Sequence, residues 1–352
     1  MSLMSKVQNG GEQDYPAKIR QAAVALATWP GPIVIISHID PDGDALGSTL
    51  ALKRALDSLG KSTRLIIEPP RYLSFLVREG ELSKPLSALP ESCLLAVLDV
   101  EVGPRATGAP LAGAAKIVNI DHHGTNPRHG DLSVVQPSRA ATAHMVKDLI
   151  DALGVAWTLE LAEPCLTGIL TDTGNFRFSN TSPEVLHAAG ELIATGLDYV
   201  ALTDRLQWRP QSYYPLLGKV MDTVEFPLGG LLALAQLTQA MRAEVGNGED
   251  DSDDFVGIIR YAEGVKLAVL LKEKIPGQET KVSVRSRDGV SAQAVCLRLG
   301  GGGHVAAAGA TIYADLATAR RQVLAAAREE LRDKGFTLKE DSARVVSGSQ
   351  GD

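Results

Sequence analysis

Short apolar runs alternate with amphipathic helical patterns over the first two hundred residues. The run at 33–36 is four β-branched residues in succession, which is typical of a buried parallel strand. Further strands are predicted at 62–68, 93–100 and 115–123, and helices at 16–29, 49–60, 139–153 and 182–196. Another apolar segment, 161–176, ends near Asp172. This alternation predicts an α/β domain built on a parallel sheet.

The pattern changes after about residue 205. Short alternating strands are predicted at 224–237, 256–274 and 280–288, with helices at 291–299 and 315–334. A chain of 352 residues is expected to form two domains. We divide it into an N-terminal catalytic domain at 1–205, a linker at 206–222, a smaller α/β domain at 223–338 and a disordered polar tail at 339–352. The acidic segment at 249–254 is interpreted as a solvated loop.

Acidic and imidazole side chains stand where the apolar segments of the first domain end. Because the carboxyl ends of parallel strands meet at one edge of the sheet, these side chains are expected to converge. The candidate metal ligands are His38, Asp42, Asp44, Asp99, His122 and Asp172. A single Asp at such a position is usually a helix cap or a turn former, and a single His is usually structural. The convergence of all six favours a site.

This set of ligands suits hard divalent cations. Clustered carboxylates repel one another, and cations between them relieve that repulsion. Imidazole with carboxylates and no thiolate favours Mn²⁺, with Mg²⁺ or Co²⁺ as alternatives. The six side chains suffice for two ions, and ions ~3.5–4 Å apart activate water and stabilise a phosphoryl centre.

Four motifs resemble, in order, those of the DHH phosphoesterase superfamily. They are HIDPDGDALGS at 38–48, the Asp of AVLDV, the DHH at 121–123 and TDTGNF at 171–176. VSVRS at 282–286 and GGGGHVAAAG at 300–309 resemble the type 1 DHH-associated domain. The resemblance covers most of the chain. The size, the order of the motifs and both C-terminal motifs are similar to those of the bifunctional oligoribonuclease and pAp phosphatase branch, the nanoRNase-like proteins.

The resemblance implies a role for each matching residue of the first domain. His38 and Asp42 would hold one ion, and Asp44, His122 and Asp172 the other. Asp99 would bridge both ions. Asp121 would orient a neighbouring group. His123 would lie beside the phosphate as a general acid or a transition-state stabiliser, with a purely structural histidine as the alternative. Asp40 matches a variable position and is interpreted as a surface or outer-sphere residue.

In the second domain the resemblance implies a clamp for a substrate phosphate. Glycines accept positive φ, and successive backbone N–H groups form anion-binding nests. The predicted substrate-binding residues are Arg285, Ser286, Gly301, Gly302, Gly303 and His304. Arg287 is a weaker candidate. Arg139 departs from the small residue expected there, and we favour a surface charge over an additional phosphate contact.

Charge and cysteine usage restrict the functional class further. The net charge of −7 and pI of about 5.6 argue against a protein that holds long nucleic acid electrostatically. The three cysteines, Cys93, Cys165 and Cys296, form no close pair, which predicts reduced thiols in the cytoplasm. No apolar run is long enough to span a membrane, and the N-terminus lacks a signal-peptide pattern.

The sequence therefore predicts a two-domain, metal-dependent phosphoesterase with its active site in the cleft between the domains. It would cleave short oligoribonucleotides to 5′-mononucleotides and convert pAp (3′-phosphoadenosine 5′-phosphate) to AMP. A phosphodiesterase for cyclic or linear dinucleotides shares all the catalytic motifs and is the first alternative. A RecJ-like exonuclease, a family II pyrophosphatase and a non-catalytic nucleotide sensor fit the sequence less well. The sequence leaves open the substrate preference, the polarity of digestion, the metal in the cell and the oligomeric state, for which a homodimer is one possibility.

Overall fold

The structure is a computed structural model that describes residues 3–246, 252 and 254–338, with side chains from residue 14 onward. The predicted tail at 339–352 and most of the acidic segment at 249–254 lie outside the described residues. The chain forms two compact units that divide between Trp208 and Arg209. Among the described residues, no helix is both long enough and apolar enough to cross a membrane.

The first unit contains a parallel sheet, as predicted. Its strands are β1 (Ile33–His38), β2 (Thr63–Ile66), β3 (Leu94–Leu98), β4 (Ala106–Thr107), β5 (Lys116–Asp121) and β6 (Leu132–Val135). The parallel order is β2-β1-β3-β5-β6, and the short β4 pairs antiparallel with the end of β1. Because β1, β3 and β5 are neighbours, their carboxyl ends bring residues from three separate motifs to one edge.

Six helices accompany this sheet. They are α1 (Leu3–Thr28), α2 (Gly43–Ser58), α3 (Thr142–Ala152), α4 (Leu159–Asp172), α5 (Pro183–Ile193) and α6 (Tyr199–Gln207), with a 3-10 turn at Arg71–Leu76. The helix predicted at 182–196 is confirmed as α5, and the Ser182 side chain caps its start by accepting a hydrogen bond from the Val185 N–H. The main core packs β1 and β3 against α2, α3 and α4.

Residues 161–172 of the apolar segment, which we grouped with the strand segments, belong to helix α4, and 173–176 form a turn. The helix is mostly apolar because it is buried against α2 and α3, and a short apolar stretch does not distinguish a buried helix from a buried strand. Two glycines allow this close packing. A Cβ on Gly47 would lie 2.3 Å from the Pro164 carbonyl oxygen, and one on Gly168 would lie 2.6 Å from the Ala143 Cβ.

The second unit has a mixed five-stranded sheet. Its strands are β7 (Leu232–Leu237), β8 (Leu267–Ile275), β9 (Glu279–Ser286), β10 (Gly302–Gly303) and β11 (Ala307–Ile312), in the order β10-β11-β9-β8-β7. Only β7 and β8 pair in parallel. Its helices are α7 (Tyr213–Met221), α8 (Gln239–Val245), α9 (Phe255–Ile259), α10 (Ala292–Arg298) and α11 (Leu316–Asp333).

Two of the strands predicted for this unit are wrong at their beginnings. The stretch at 256–259 is part of helix α9, and 228–230 is a 3-10 turn. The apolar run VGII is too short for its period to separate a helix from a strand. The helices predicted at 291–299 and 315–334 are confirmed as α10 and α11.

Candidate metal centre

The end of β1 and the start of α2 supply the first three polar side chains. Asp42 caps α2, because its carboxylate accepts the N–H groups of Asp44 and Ala45 at 3.0 and 3.1 Å. The Nδ1 of His38 lies 2.8 Å from the Ile39 carbonyl oxygen. Nδ1 therefore carries the proton and donates it to that oxygen, so Nε2 keeps its lone pair. This tautomer is the one that a metal ligand requires.

One group of possible ligands forms around the His38 ring. Its Nε2 lies 3.5 Å from Oδ2 of Asp99 and 4.0 Å from Oδ1 of Asp42. The ligand atoms of these three residues all lie within 4.8 Å of one another. This spacing is compatible with one cation between them.

A second group forms around His122. Its Nε2 lies 3.2 Å from Oδ2 of Asp172, 3.8 Å from Oδ2 of Asp44 and 3.6 Å from Oδ1 of Asp99. The Nδ1 of His122 lies 3.4 Å from the carbonyl oxygen of Arg139, so the Nδ1 proton has an acceptor and Nε2 again carries the lone pair. The ligand atoms of Asp44, His122 and Asp172 also lie within 4.8 Å of one another.

Asp99 stands between the two groups. One of its oxygens is nearer His38 and the other is nearer His122. The Thr142 hydroxyl donates to its Oδ1 at 2.9 Å. Asp99 has a φ of 62°, a left-handed conformation that Asp and Asn adopt more readily than most residues. The turn after β3 thus places a buried carboxylate between His38 and His122.

Burial and mutual repulsion act against ionisation of the acidic groups. Burial raises the pKa of Asp44, and the charges of Asp99 and Asp42 raise it further. Burial together with Asp42 raises the pKa of Asp99, and burial together with Asp44 raises that of Asp172. A cation placed between them would reverse these shifts. The donor set, carboxylate oxygens and neutral imidazole nitrogens, therefore fits two divalent ions.

A separate network holds His123. Its Nδ1 donates to Oδ1 of the fully buried Asp121 at 2.6 Å. Asn126 donates to the other Asp121 oxygen at 2.6 Å and to Asn119 at 2.9 Å. Burial lowers the pKa of His123, but the hydrogen bond to Asp121 and the charges of Asp99 and Asp121 outweigh it, so the pKa is raised. Asp121 thus contacts the neighbour that the sequence predicts it to orient.

The sequence did not indicate three residues that hold this centre. They are Thr142, Asn126 and Asn180. The side-chain amide of Asn180 donates to the backbone carbonyl oxygens of Asp172 and Ala140 at 3.0 and 2.9 Å. The only signal for them was a polar side chain at a helix start or in a loop, which is too common to be selective. Asp40, as expected, is exposed.

The predicted substrate-binding residues of the second unit differ in exposure. His304 is exposed on the turn between β10 and β11, and Arg285 is partly exposed on β9. Ser286 is buried instead, and its hydroxyl donates to the Val305 carbonyl and accepts the Ala292 N–H. Both hydrogen bonds of the Ser286 hydroxyl therefore stabilise the fold of the second unit. Arg287 lies with its guanidinium 5.7 Å from the centroid of the Tyr261 ring.

Close packing gives a physical reason for two glycines of the run at 300–303. The N–H of Gly301 donates to the Cys296 carbonyl at 2.8 Å, and the N–H of His304 donates to Ala307 at 2.7 Å. These groups therefore do not form an anion nest. A Cβ on Gly301 would lie 2.1 Å from the Gly309 carbonyl oxygen, and one on Gly303 would lie 2.7 Å from the Ala308 Cα. Both glycines allow the close approach of β11, whereas Gly300 and Gly302 are exposed with open space around them.

Two domain families match the chain. Residues 32–169 match the DHH family, N-terminal domain, and residues 237–333 match the DHHA1 domain. The chain belongs to the DHH phosphoesterase family, which confirms the resemblance of its motifs. Members of this family depend on divalent metal ions, in agreement with the carboxylate and imidazole groups described above.

Relatives of established name align over nearly all of the chain. The bifunctional oligoribonuclease and PAP phosphatase NrnA of Thermus thermophilus is 54% identical over 93% of this chain and 99% of its own length. NrnA of Bacillus subtilis is 28% identical over 80% of this chain and 89% of its own. An exopolyphosphatase-related protein of Bacteroides fragilis has the same fold, with a TM-score of 0.78 at 23% identity over 89% of this chain and 96% of its own.

Proposed function

We propose that this protein hydrolyses short oligoribonucleotides to 5′-mononucleotides and removes the 3′-phosphate of pAp to give AMP. The observation that carries the proposal is the identity with the Thermus relative, which spans both domains and whose name states both activities. The polar side chains of the first unit support it, because they supply the ligands that a two-metal phosphoesterase needs.

The two groups of side chains would hold two divalent ions, for which Mn²⁺ is our first choice. His38 and Asp42 would bind one ion, and Asp44, His122 and Asp172 would bind the other. Asp99 would contact both. When bound, such ions polarise the phosphoryl group and lower the pKa of water, which is the chemistry that the ester bond requires.

The protein's own groups then position the reacting atoms and move a proton. The Thr142 hydroxyl and the N–H groups at the start of α3 hold two of the carboxylates in place. Asp121 fixes the His123 ring through Nδ1 and favours its protonated form, since the pKa of His123 is raised. His123 can therefore donate a proton to the departing oxygen or stabilise the charge on the phosphoryl group.

The second unit would bind the phosphate at the other end of the substrate. Arg285 supplies a partly exposed guanidinium and His304 an exposed imidazole, two donors that suit phosphate oxygens. The exposed backbone at Gly302 lets a ligand approach without a side chain in the way. This division of labour separates phosphate recognition from the metal-binding residues.

A panel of substrates tests the proposal. The purified chain is assayed with Mn²⁺ on pAp, a dinucleotide, RNAs of increasing length, cyclic and linear di-AMP, and pyrophosphate. We expect the highest kcat/KM on the dinucleotide and measurable phosphate release from pAp. A marked preference for cyclic di-AMP would replace our proposal by the cyclic-dinucleotide alternative, and a preference for pyrophosphate would refute it.

A further inference from the structure

Arg139 lies in the loop between β6 and α3, and three neighbours hold its side chain. Its Nη2 pairs with Oδ2 of Asp148 at 2.9 Å, and its guanidinium lies 4.8 Å from the centroid of the Tyr15 ring. Its Nη1 lies 3.4 Å from Nε2 of His144. Only 24% of the side chain is exposed. Arg139 therefore contacts helices α1 and α3, and its side chain is mostly buried rather than displayed as a surface charge.

The groups around Arg139 reinforce this arrangement. The Tyr15 hydroxyl donates to the same Asp148 oxygen at 2.7 Å, so the carboxylate joins the arginine to α1. Burial and the positive charges of Arg139 and Lys147 lower the pKa of His144 to about 4. His144 is thus neutral, and its Nε2 accepts a hydrogen bond from the arginine.

The backbone beside Arg139 contacts the candidate ligands directly. The carbonyl oxygen of Arg139 accepts the Nδ1 proton of His122, which leaves Nε2 for a metal. The next carbonyl, that of Ala140, accepts a hydrogen bond from Asn180, which also holds the carbonyl of Asp172. The path of this loop therefore determines the orientation of the His122 ring.

The residues that follow continue the same contacts into helix α3. The N–H groups of Thr142 and Ala143 donate to the two oxygens of Asp44 at 2.6 and 2.7 Å. The Thr142 hydroxyl donates to Asp99. Residues 139–143, which we name the anchor loop, thus contact three of the candidate ligands through hydrogen bonds.

We propose that Arg139 is a positioning residue for the metal centre. By fixing the anchor loop to Tyr15 and Asp148, it holds the carbonyl group that sets the tautomer of His122 and the N–H groups that hold Asp44. The inference rests on the proposed metal-binding function. Groups that orient metal ligands typically change metal affinity by about 10- to 100-fold when they are removed.

The direction in which Arg139→Ala changes the metal affinity distinguishes a positioning role from a purely electrostatic one. Arg139 carries a positive charge that repels a cation, although its ion pair with Asp148 weakens that repulsion. If the arginine acted through charge alone, Arg139→Ala would strengthen metal binding. If it positions the ligands, Arg139→Ala weakens metal binding, although it deletes no ligand and removes a repulsive charge.

The experiment measures Mn²⁺ binding to the metal-free full-length chain by calorimetry, without substrate. Four proteins are compared: wild type, Arg139→Ala, Arg139→Lys and Lys147→Ala. Lys147 on α3 is the matched control, because its side chain is mostly buried and it pairs with Asp151 and Glu191 rather than with a candidate ligand. Thermal unfolding of the metal-free proteins reports whether each variant is folded.

We expect about a tenfold or greater rise in the Mn²⁺ dissociation constant for Arg139→Ala. Arg139→Lys keeps the charge and a donor to Asp148 but loses the planar contact with Tyr15, so it should recover part of the affinity. Lys147→Ala should bind Mn²⁺ as wild type does. An Arg139→Ala affinity equal to or tighter than wild type overturns the inference, as does an equal loss in Lys147→Ala.

The outcome also distinguishes this inference from the proposed function. A wild-type chain that binds no Mn²⁺, Mg²⁺ or Co²⁺ refutes the proposed metal centre, and the role of Arg139 with it. A wild type that binds normally beside an Arg139→Ala variant of unchanged affinity refutes the positioning role alone. If Arg139→Ala does not fold, the folded Arg139→Lys variant decides, and wild-type affinity there counts against the proposal.

Discussion

Replacing Asp99 by Asn tests the two-metal arrangement most directly. The change keeps the shape of the side chain and suits the left-handed backbone at this position, because Asn also adopts positive φ readily. It removes the negative charge of the one carboxylate that lies between His38 and His122. We therefore expect the variant to fold and to lose activity.

The expected change in stability of the metal-free protein is small because two effects oppose each other. The Asp99 and Asp42 oxygens lie within 4.8 Å of each other. Two like charges at that separation repel by roughly 3 kcal/mol at an effective dielectric constant of about 20. Screening at the exposed Asp42 reduces this to roughly 1 kcal/mol. This relief of repulsion is opposed by a loss at Thr142, because its hydrogen bond to a charged acceptor becomes a bond to a neutral one, at a cost of about 1 kcal/mol.

The free energy of unfolding should therefore stay within about 1 kcal/mol of wild type. Its pH dependence should change. Since the pKa of Asp99 is raised in the folded state, that state binds the proton more tightly, and the metal-free wild type loses stability as the pH rises from the ordinary Asp pKa towards the raised one. Asp99→Asn removes the contribution of Asp99 to that loss, while those of Asp44 and Asp172 remain.

Activity should fall by at least about a thousandfold, equivalent to about 4 kcal/mol in the barrier. The assay is kcat/KM on a dinucleotide with saturating Mn²⁺, beside urea denaturation of the metal-free proteins at several pH values. Activity within about tenfold of wild type would refute the bridging role. A destabilisation above roughly 3 kcal/mol would show instead that the carboxylate holds the fold.

Three other changes test separate parts of the molecule. Arg285→Ala and His304→Ala should raise KM for phosphorylated substrates while metal content stays at the wild-type level. Loss of metal in either variant would place the second unit in the metal centre. Because the chain is acidic and its proposed phosphate contacts are few, kcat/KM should be highest for RNAs of two to about five nucleotides and should fall for longer RNAs. A steady rise of kcat/KM with RNA length would favour a processive exonuclease. Arg54→Ala removes the buried ion-pair partner of Glu81 and should lower the free energy of unfolding by about 3–5 kcal/mol. The Mn²⁺ affinity of this variant should be unchanged. A large change in Mn²⁺ affinity would contradict the separation of core and site.

The sequence by itself determined the parallel sheet and the candidate ligands. Short apolar runs followed by abrupt polar turns indicate buried strands whose ends carry chemistry, and β1, β3 and β5 match those runs. The motifs around Asp42, Asp99 and His122 were recognisable because each is short and local. Their convergence could be expected because the carboxyl ends of parallel strands meet at one edge of the sheet.

Tertiary structure decided the residues whose role depends on distant partners. The sequence grouped the segment before Asp172 with the strands, and packing against α2 made it a helix. The glycine run suggested an anion nest, but β11 lies against Gly301 and Gly303, and the neighbouring N–H groups bond within the protein. The sequence favoured a surface charge for Arg139, whereas the structure shows that its side chain contacts α1 and α3. A local pattern shows which groups a chain carries, whereas hydrogen-bond partners far apart in sequence determine which groups remain available for chemistry.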